Sequence, residues 1–287
     1  MKIFNAEKIK ELDKLTIETQ KITSLELMER AALQAFLWLV NHFHDKKTVY
    51  HIFCGVGNNG GDGLVIARML KQNYFEVHVY VVPFSEKFSN DFDSNLERLK
   101  ECNLTYEVIN ADSEFPDIAE NHIIIDAIFG IGLTHEIDLW IQKIIQKINY
   151  HQSFTISIDV PSGLFLEKKT IIAIHSDVVL TFQFPKLAFF LPDNDHFVSE
   201  IVILDIEWDY HVMDDIATHF FYSDLIEIIL DKLKPVMEKV KFLNIQGIAE
   251  PFWKVRVLEI LEKLNFKKYQ NAIYFSEDIE KLIAIFT

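Results

Sequence analysis

The spacing of apolar residues changes along this chain from a helical period to a strand period and back. Asn5 is placed to cap a helix whose apolar positions include Ile9 and Leu12, with charged residues between them. Thr23 and Glu26 form a capping box ahead of the apolar run Leu27 to Val40, which predicts a second, largely buried helix. Thr48 to Phe53 then reads as a strand, Leu64 to Gln72 as a helix and Glu76 to Val82 as a strand. The polar stretch with Asp91, Asp93 and Glu97 opens another helix. Further strands are expected at His122 to Asp126, Phe154 to Asp159, Asp177 to Phe182 and Glu200 to Asp205. Strands separated by helical patterns imply βαβ units, hence an α/β fold with a mostly parallel sheet and helices on both faces. The all-apolar run Ile123-Ile124-Ile125 suits a central strand covered on both sides.

The pattern changes after about Trp208. Asp214 and Asp215 sit in a polar connection, and Ser223 can cap a helix ending before Pro235. A helix over Phe252 to Leu264, a strand over Asn271 to Phe275 and a last helix over Ser276 to Ile285 follow. The expected organisation is a main domain over 1–211 and a small α-rich C-terminal extension over 212–287.

At 287 residues and 49 % hydrophobic content the chain can build a substantial core. A net charge of −15 argues against binding nucleic acid through a basic face. Two cysteines, Cys54 and Cys102, make neither a disulfide framework nor a cysteine-rich zinc site. With no signal-peptide core and no long apolar run, the expectation is a cytoplasmic protein that does not enter the membrane.

Eight of the nine glycines fall in three segments that each follow an expected strand. They are Gly55, Gly57, Gly60, Gly61 and Gly63, then Gly130 and Gly132, then Gly163. Glycine is needed where backbone takes positive φ or approaches a ligand closely. Loops at the carboxyl ends of parallel strands share one crevice, so the three segments should converge. Two of them begin with an acid, Asp126 and Asp159, which in a crevice is either an acid/base group or a cation ligand. Gly55-Val56-Gly57-Asn58-Asn59-Gly60 fits the dinucleotide fingerprint. Its usual companion, an acid holding a ribose after the second strand, is missing: Val82 is followed by Pro83-Phe84-Ser85. Hydride-transfer chemistry on NAD is therefore disfavoured. The loop, running on through Gly61-Asp62-Gly63 and delaying the helix, can still offer backbone N–H groups to phosphate.

Taken together, Asn58-Asn59-Gly60-Gly61-Asp62-Gly63 with Ala67-Arg68, Asp126-Ala127-Ile128-Phe129-Gly130-Ile131-Gly132-Leu133 and Ile158-Asp159-Val160-Pro161-Ser162-Gly163-Leu164 resemble the NAD(P)H-hydrate epimerases, the YjeF N-terminal domain family. Leu27-Met28-Glu29-Arg30-Ala31 and Thr181-Phe182 with Pro185-Lys186 are similar to further blocks in the right order, so the resemblance spans roughly residues 1 to 208. It implies a Rossmann-like three-layer α/β/α sandwich and interconversion of the R and S forms of hydrated NADH and NADPH. The hydrated cofactor is then the substrate, and no redox cofactor is needed. The resemblance places Asn58, Asn59, Gly60, Gly61 and Asp62 against the substrate phosphates and Gly130, Ile131, Gly132, Leu133, Thr134, His135 and Glu136 in a second substrate loop. It gives Asp159 substrate contact and the acid/base role. It assigns one potassium ion per subunit to Asn59, Asp126 and Ser162, and it implies a homodimer.

Departures from the family pattern lie around Phe165-Leu166-Glu167-Lys168-Lys169, Leu187-Ala188, Pro192-Asp193 and Thr134-His135-Glu136. Some relatives carry a fused dehydratase. Residues 212–287, with Gly247 as their one glycine, are too short for one, and no dehydratase activity is expected. The rival reading is a catalytically silent nucleotide-binding or interaction module on the same fold. Structural roles are expected for His51, His78 and His175, and burial for Cys54. His135 is the one histidine in a ligand loop. Arg68 can pair with an acid as readily as with phosphate.

Overall fold

The computed structural model describes residues 2–166, 170–190, 192–208 and 220–221. Seven parallel strands form one sheet: β2 (Val49–Gly55), β3 (Glu76–Val82), β4 (Tyr106–Val108), β5 (Ile123–Ala127), β6 (Phe154–Ile158), β7 (Ser176–Phe182) and β8 (Val198–Leu204). Their order is β4-β3-β2-β5-β6-β7-β8, which puts the apolar β5 in the middle with every residue buried. A separate two-stranded pair joins β1 (Lys2–Ile3) to β9 (Phe220–Phe221). β1, β4 and β9 are too short to carry a readable period, and the sequence pattern did not reveal them.

Among the described residues five α-helices accompany the sheet: α1 (Ala6–Gln20), α2 (Ser24–His42), α3 (Asn58–Gln72), α4 (Asn90–Glu101) and α5 (Leu139–Tyr150). The caps fall where the side chains predict. Asn5 accepts from the Lys8 amide, and Thr23 and Glu26 close the capping box of α2. α2, α3 and α4 pack on the face that carries Ile52, Cys54, Ile125 and Ile156. α5 packs its isoleucines on the other face against Phe53, Tyr80 and Ile124. The three expected layers are present. α1 lies on a third cluster, where Phe4, Ile9 and Leu12 meet Leu27, Ala31, Phe184, Ile206 and Trp208.

One helix begins earlier than its sequence suggests. α3 starts at Asn58, not Leu64, so Gly60, Gly61 and Gly63 occupy its first turns. Helix and sheet approach so closely there that side chains have no room. A Cβ on Gly60 would sit 1.7 Å from the Gly55 carbonyl oxygen, and one on Gly63 2.7 Å from the Ala127 Cβ. Close packing, not backbone conformation, explains these glycines; among the described residues Gly163 is the one glycine with positive φ, at 99°. The elements expected beyond 212, apart from the segment with β9, lie outside the described residues, as do Asp214, Asp215 and Glu167-Lys168-Lys169.

The strand histidines are structural. His51 is buried, with its Nδ1 3.0 Å from the Tyr80 hydroxyl and its Nε2 2.9 Å from His122 Nδ1. Burial first, then the neighbouring His78, His122 and His151, pushes its pKa down to about 3. The fold therefore holds the neutral ring, and the stability this contributes is present above pH ~6.5 and lost as pH falls toward 3. Between pH 7 and pH 4.5 the wild type should lose about 2–3 kcal/mol more than His51→Gln, measured by denaturant unfolding at both pH values. An equal loss in both proteins would remove His51 as the sensitive group. Among the described residues no helix is long and apolar enough to cross a membrane.

Candidate functional site

β2 leads toward β3 and β4 on one side, while β5 leads toward β6, β7 and β8 on the other. Such a switch point leaves a crevice beyond the carboxyl ends of the two diverging strands. A cavity of about 710 Å³ opens there, within the range of small-molecule and cofactor sites. Its wall takes Gly57, Asn58, Asn59 and Asp62 from the start of α3 and residues 130–136 from the loop after β5. Asp159 enters from the turn after β6, and Lys10 and Asp13 from α1. Two of the three glycine segments thus converge as their spacing predicts. The third contributes Asp159, while its Gly163 is packed against Ile172 and Ala173.

Asp159 is held in a left-handed conformation, φ 62°, which aspartate adopts more readily than most residues. Its amide donates to the Leu180 carbonyl at 2.8 Å, which fixes the turn. Lys186 lies 2.7 Å from its Oδ1. That lysine is 1 % exposed, and its ammonium also donates to the Phe182 and Phe184 carbonyls at 2.9 and 3.1 Å. All three ammonium protons are used, and the Phe182 amide at 3.3 Å and the Thr181 hydroxyl at 3.4 Å also donate to Asp159 Oδ1.

Two more acids share this space. Burial, reinforced by Asp159 and opposed by Lys186, pushes Asp13 up to about 7. Burial, with Asp159, Asp13 and Asp91 adding to it, holds Asp62 well above the usual carboxylate range. Asp13 was absent from the sequence-based expectations, although a signal existed. Ile9, Leu12 and Thr16 mark the buried face of α1, and Asp13 falls on that stripe, four residues after Ile9. Lys186 was visible only as part of a quoted block. Where a ribose-binding acid is missing after β3, Phe84 lines the cavity and packs on Phe129 with ring centroids 4.6 Å apart.

Asp126 and Ser162 are brought together, but behind the cavity wall. Asp126 belongs to β5 itself and is fully buried. It lies beside Ser157 in the parallel register and accepts from Ser157 Oγ at 2.7 Å. Ser162 donates to it twice, from its amide at 2.7 Å and its hydroxyl at 2.5 Å, and the Ile128 amide adds a fourth bond at 3.3 Å. Burial raises the Asp126 carboxyl, while these donors pull it back. Ser162 Oγ in turn accepts from the Phe129 amide at 2.8 Å. The neighbouring Gly130 lies against the Asn59 side chain, where an added Cβ would come within 3.2 Å. Both polar atoms of the Asn59 carboxamide are buried without a hydrogen-bond partner among the described residues.

The remaining expectations sort readily. Gly60 and Gly61 do not line the cavity; a Cβ on Gly61 would meet Met28 at 2.8 Å. Residues Ile131, Gly132, Leu133, Thr134, His135 and Glu136 all line it. Arg68 is turned away from the site onto Glu29, which Arg98 also contacts at 2.8 Å. Burial, then Asp126 and Asp62, pushes the Cys54 thiol upward, consistent with a small apolar role.

Comparison with known proteins places this geometry. Residues 24–188 match the family described as YjeF-related protein N-terminus. The chain is similar to the NAD(P)H-hydrate epimerase of Anaerococcus prevotii, 34 % identical over 215 residues that span 72 % of this chain and 95 % of that one. It is also 34 % identical over 221 residues to a bifunctional NAD(P)H-hydrate repair enzyme of Dictyoglomus turgidum, covering 76 % of this chain and 42 % of that longer protein. The crystal structure of yeast ynu0 (YNL200c) shares the fold at 24 % identity, with a TM-score of 0.58 over 66 % of this chain and 83 % of the yeast one.

Proposed function

This chain belongs to the family of YjeF-related protein N-termini, and from that premise we propose that it interconverts the R and S epimers of hydrated NADH and NADPH. The observation that carries the reading is the buried Asp159–Lys186 pair, 2.7 Å apart in the wall of a cavity of cofactor size. A silent nucleotide-binding module has no chemical need to fix a carboxylate there. The amides at the start of α3, whose N-cap Gly57 makes no side-chain cap bond, are free to donate to a substrate phosphate.

The hydrated ring bears a hydroxyl on a carbon beside the ring nitrogen. The nitrogen lone pair assists departure of that hydroxyl once it is protonated, and water then adds to the other face of the planar cation. Asp159, held by Lys186, serves as the base that takes the proton of the incoming water. Phe84, Phe129 and Ile131 wall the cavity with apolar surface, which limits competing water and strengthens the charge interactions inside. The test supplies pure R epimer and follows appearance of S epimer. The protein should accelerate the approach to equilibrium far beyond the buffer rate; no acceleration would sink the reading.

A potassium ion belongs to the same proposal. The unpartnered Asn59 carboxamide, the Asp126 carboxylate and the Ser162 hydroxyl form an oxygen-only donor set that suits a hard cation, which would neutralise phosphate charge nearby. Saturating potassium should raise the melting temperature by about 2–4 °C over an equal concentration of tetramethylammonium. Asn59→Ala should abolish that difference. A wild-type protein indifferent to potassium would remove the cation from the account. A homodimer and a cytoplasmic location are part of this reading on family resemblance alone.

A further inference from the structure

Losing a hydroxyl from one face of a ring and returning water to the other asks for proton chemistry on two sides. A single carboxylate held on one wall by Lys186 is poorly placed to serve both. We propose, resting on the epimerase reading above, that Asp13 of α1 is a second catalytic residue, the general acid that protonates the departing hydroxyl while Asp159 acts as base.

The geometry begins with how α1 is seated. Ile9 and Leu12 pack with Phe184, Ile206 and Trp208 in one cluster, so the helix lies directly on the segment that carries Lys186. Asp13, next to Leu12 on the buried stripe, is thereby turned into the same cavity that Asp159 and Lys186 line. It accepts no side-chain hydrogen bond among the described residues. Asp159 is paired with the Lys186 ammonium at 2.7 Å, whereas Asp13 lines the same cavity with no counter-cation of its own in contact. Two carboxyl groups in one cavity, one paired with an ammonium and the other not, divide the base and acid roles between them.

The groups facing Asp13 are Asp159 and Lys186 from the turns after β6 and β7, Asp62 from α3, and Lys10 of its own helix. Burial and the Asp159 charge favour the protonated form, Lys186 opposes it, and the balance lies near neutrality. In the reaction, the Asp13 carboxylic acid gives its proton to the hydroxyl. The C–O bond breaks with its electron pair leaving on water, and the ring nitrogen lone pair forms a C=N bond. A second water adds to the opposite face, restoring the lone pair, and Asp159 takes its proton. Transfer of that proton back to Asp13 closes the cycle with no net gain or loss.

The test compares wild type, Asp13→Asn and Asp13→Glu on pure R epimer across pH 5 to 9, with unfolding temperatures measured alongside. Asp13→Asn should unfold no earlier than wild type, lower kcat at least about 100-fold and leave KM within about threefold. The near-neutral alkaline limb of the wild-type kcat profile should vanish with it, and Asp13→Glu should restore part of the rate and a shifted limb. A structural role would lower stability without removing the limb. If wild type is active and Asp13→Asn turns over equally with an unchanged profile, the assignment falls while the epimerase reading stands. If wild type is itself inactive, both fall.

Discussion

Asp159→Asn should lower turnover of the hydrated cofactor by about 10²–10⁴-fold, the usual contribution of a positioned proton-transfer group. Asparagine is the informative replacement because it tolerates the left-handed backbone at φ 62° and can keep the turn. What it removes is the charge beside Lys186. The ammonium remains buried with the Phe182 and Phe184 carbonyls and, at best, a neutral carboxamide oxygen as acceptors. Breaking a buried pair costs about 3–5 kcal/mol, and those two carbonyls place this case near the low end. Adding Lys186→Met to Asp159→Asn should recover most of that stability, since no buried charge is left unpaired, while activity stays lost. Chiral separation of the products gives kcat, and denaturant midpoints give the stability. A double variant that regained turnover would show that Asp159 is not part of the chemistry.

Gly60→Ala should destabilise the protein by about 3 kcal/mol or more, the upper range for overpacking. The added Cβ would lie 1.7 Å from the Gly55 oxygen and 2.6 Å from its carbonyl carbon. Both atoms are backbone, so no rotamer change relieves the overlap; α3 must move off the sheet. Asn58, Asn59 and Asp62 ride on that helix, so the cavity wall moves with it. Gly57→Ala is the control. An added Cβ there would meet the Phe84 ring at 3.7 Å, an ordinary contact, and stability should change by less than about 1 kcal/mol. Equal effects at Gly57 and Gly60 would contradict the close-packing explanation.

The glycine-rich segment shows what sequence reading could and could not reach. Its place after β2 and its neighbours across the crevice followed from strand periodicity and the rule for switch points. Its conformation did not. Glycine's low helix propensity argued for an extended loop, yet tertiary packing overrode that preference, and the helix runs from Asn58. Asp126 reads along the chain as an acid opening onto the crevice, but its side chain bonds Ser157 of the neighbouring strand and pins the Ser162 turn from behind the cavity wall. Asp13 and Lys186 were the harder cases. Each is remote in sequence from Asp159: the turns after β6 and β7 bring Lys186 to it, and the seating of α1 on Phe184, Ile206 and Trp208 adds Asp13. The off-pattern acid on the buried stripe of α1 was the one local trace of this.

The most direct test runs the reaction with pure R epimer in water enriched in heavy oxygen. Loss of the original hydroxyl and entry of a new water on the other face predict that S epimer forms far faster than in buffer and carries the solvent oxygen. S epimer formed at the buffer rate, or formed rapidly while keeping its original oxygen, would contradict the account.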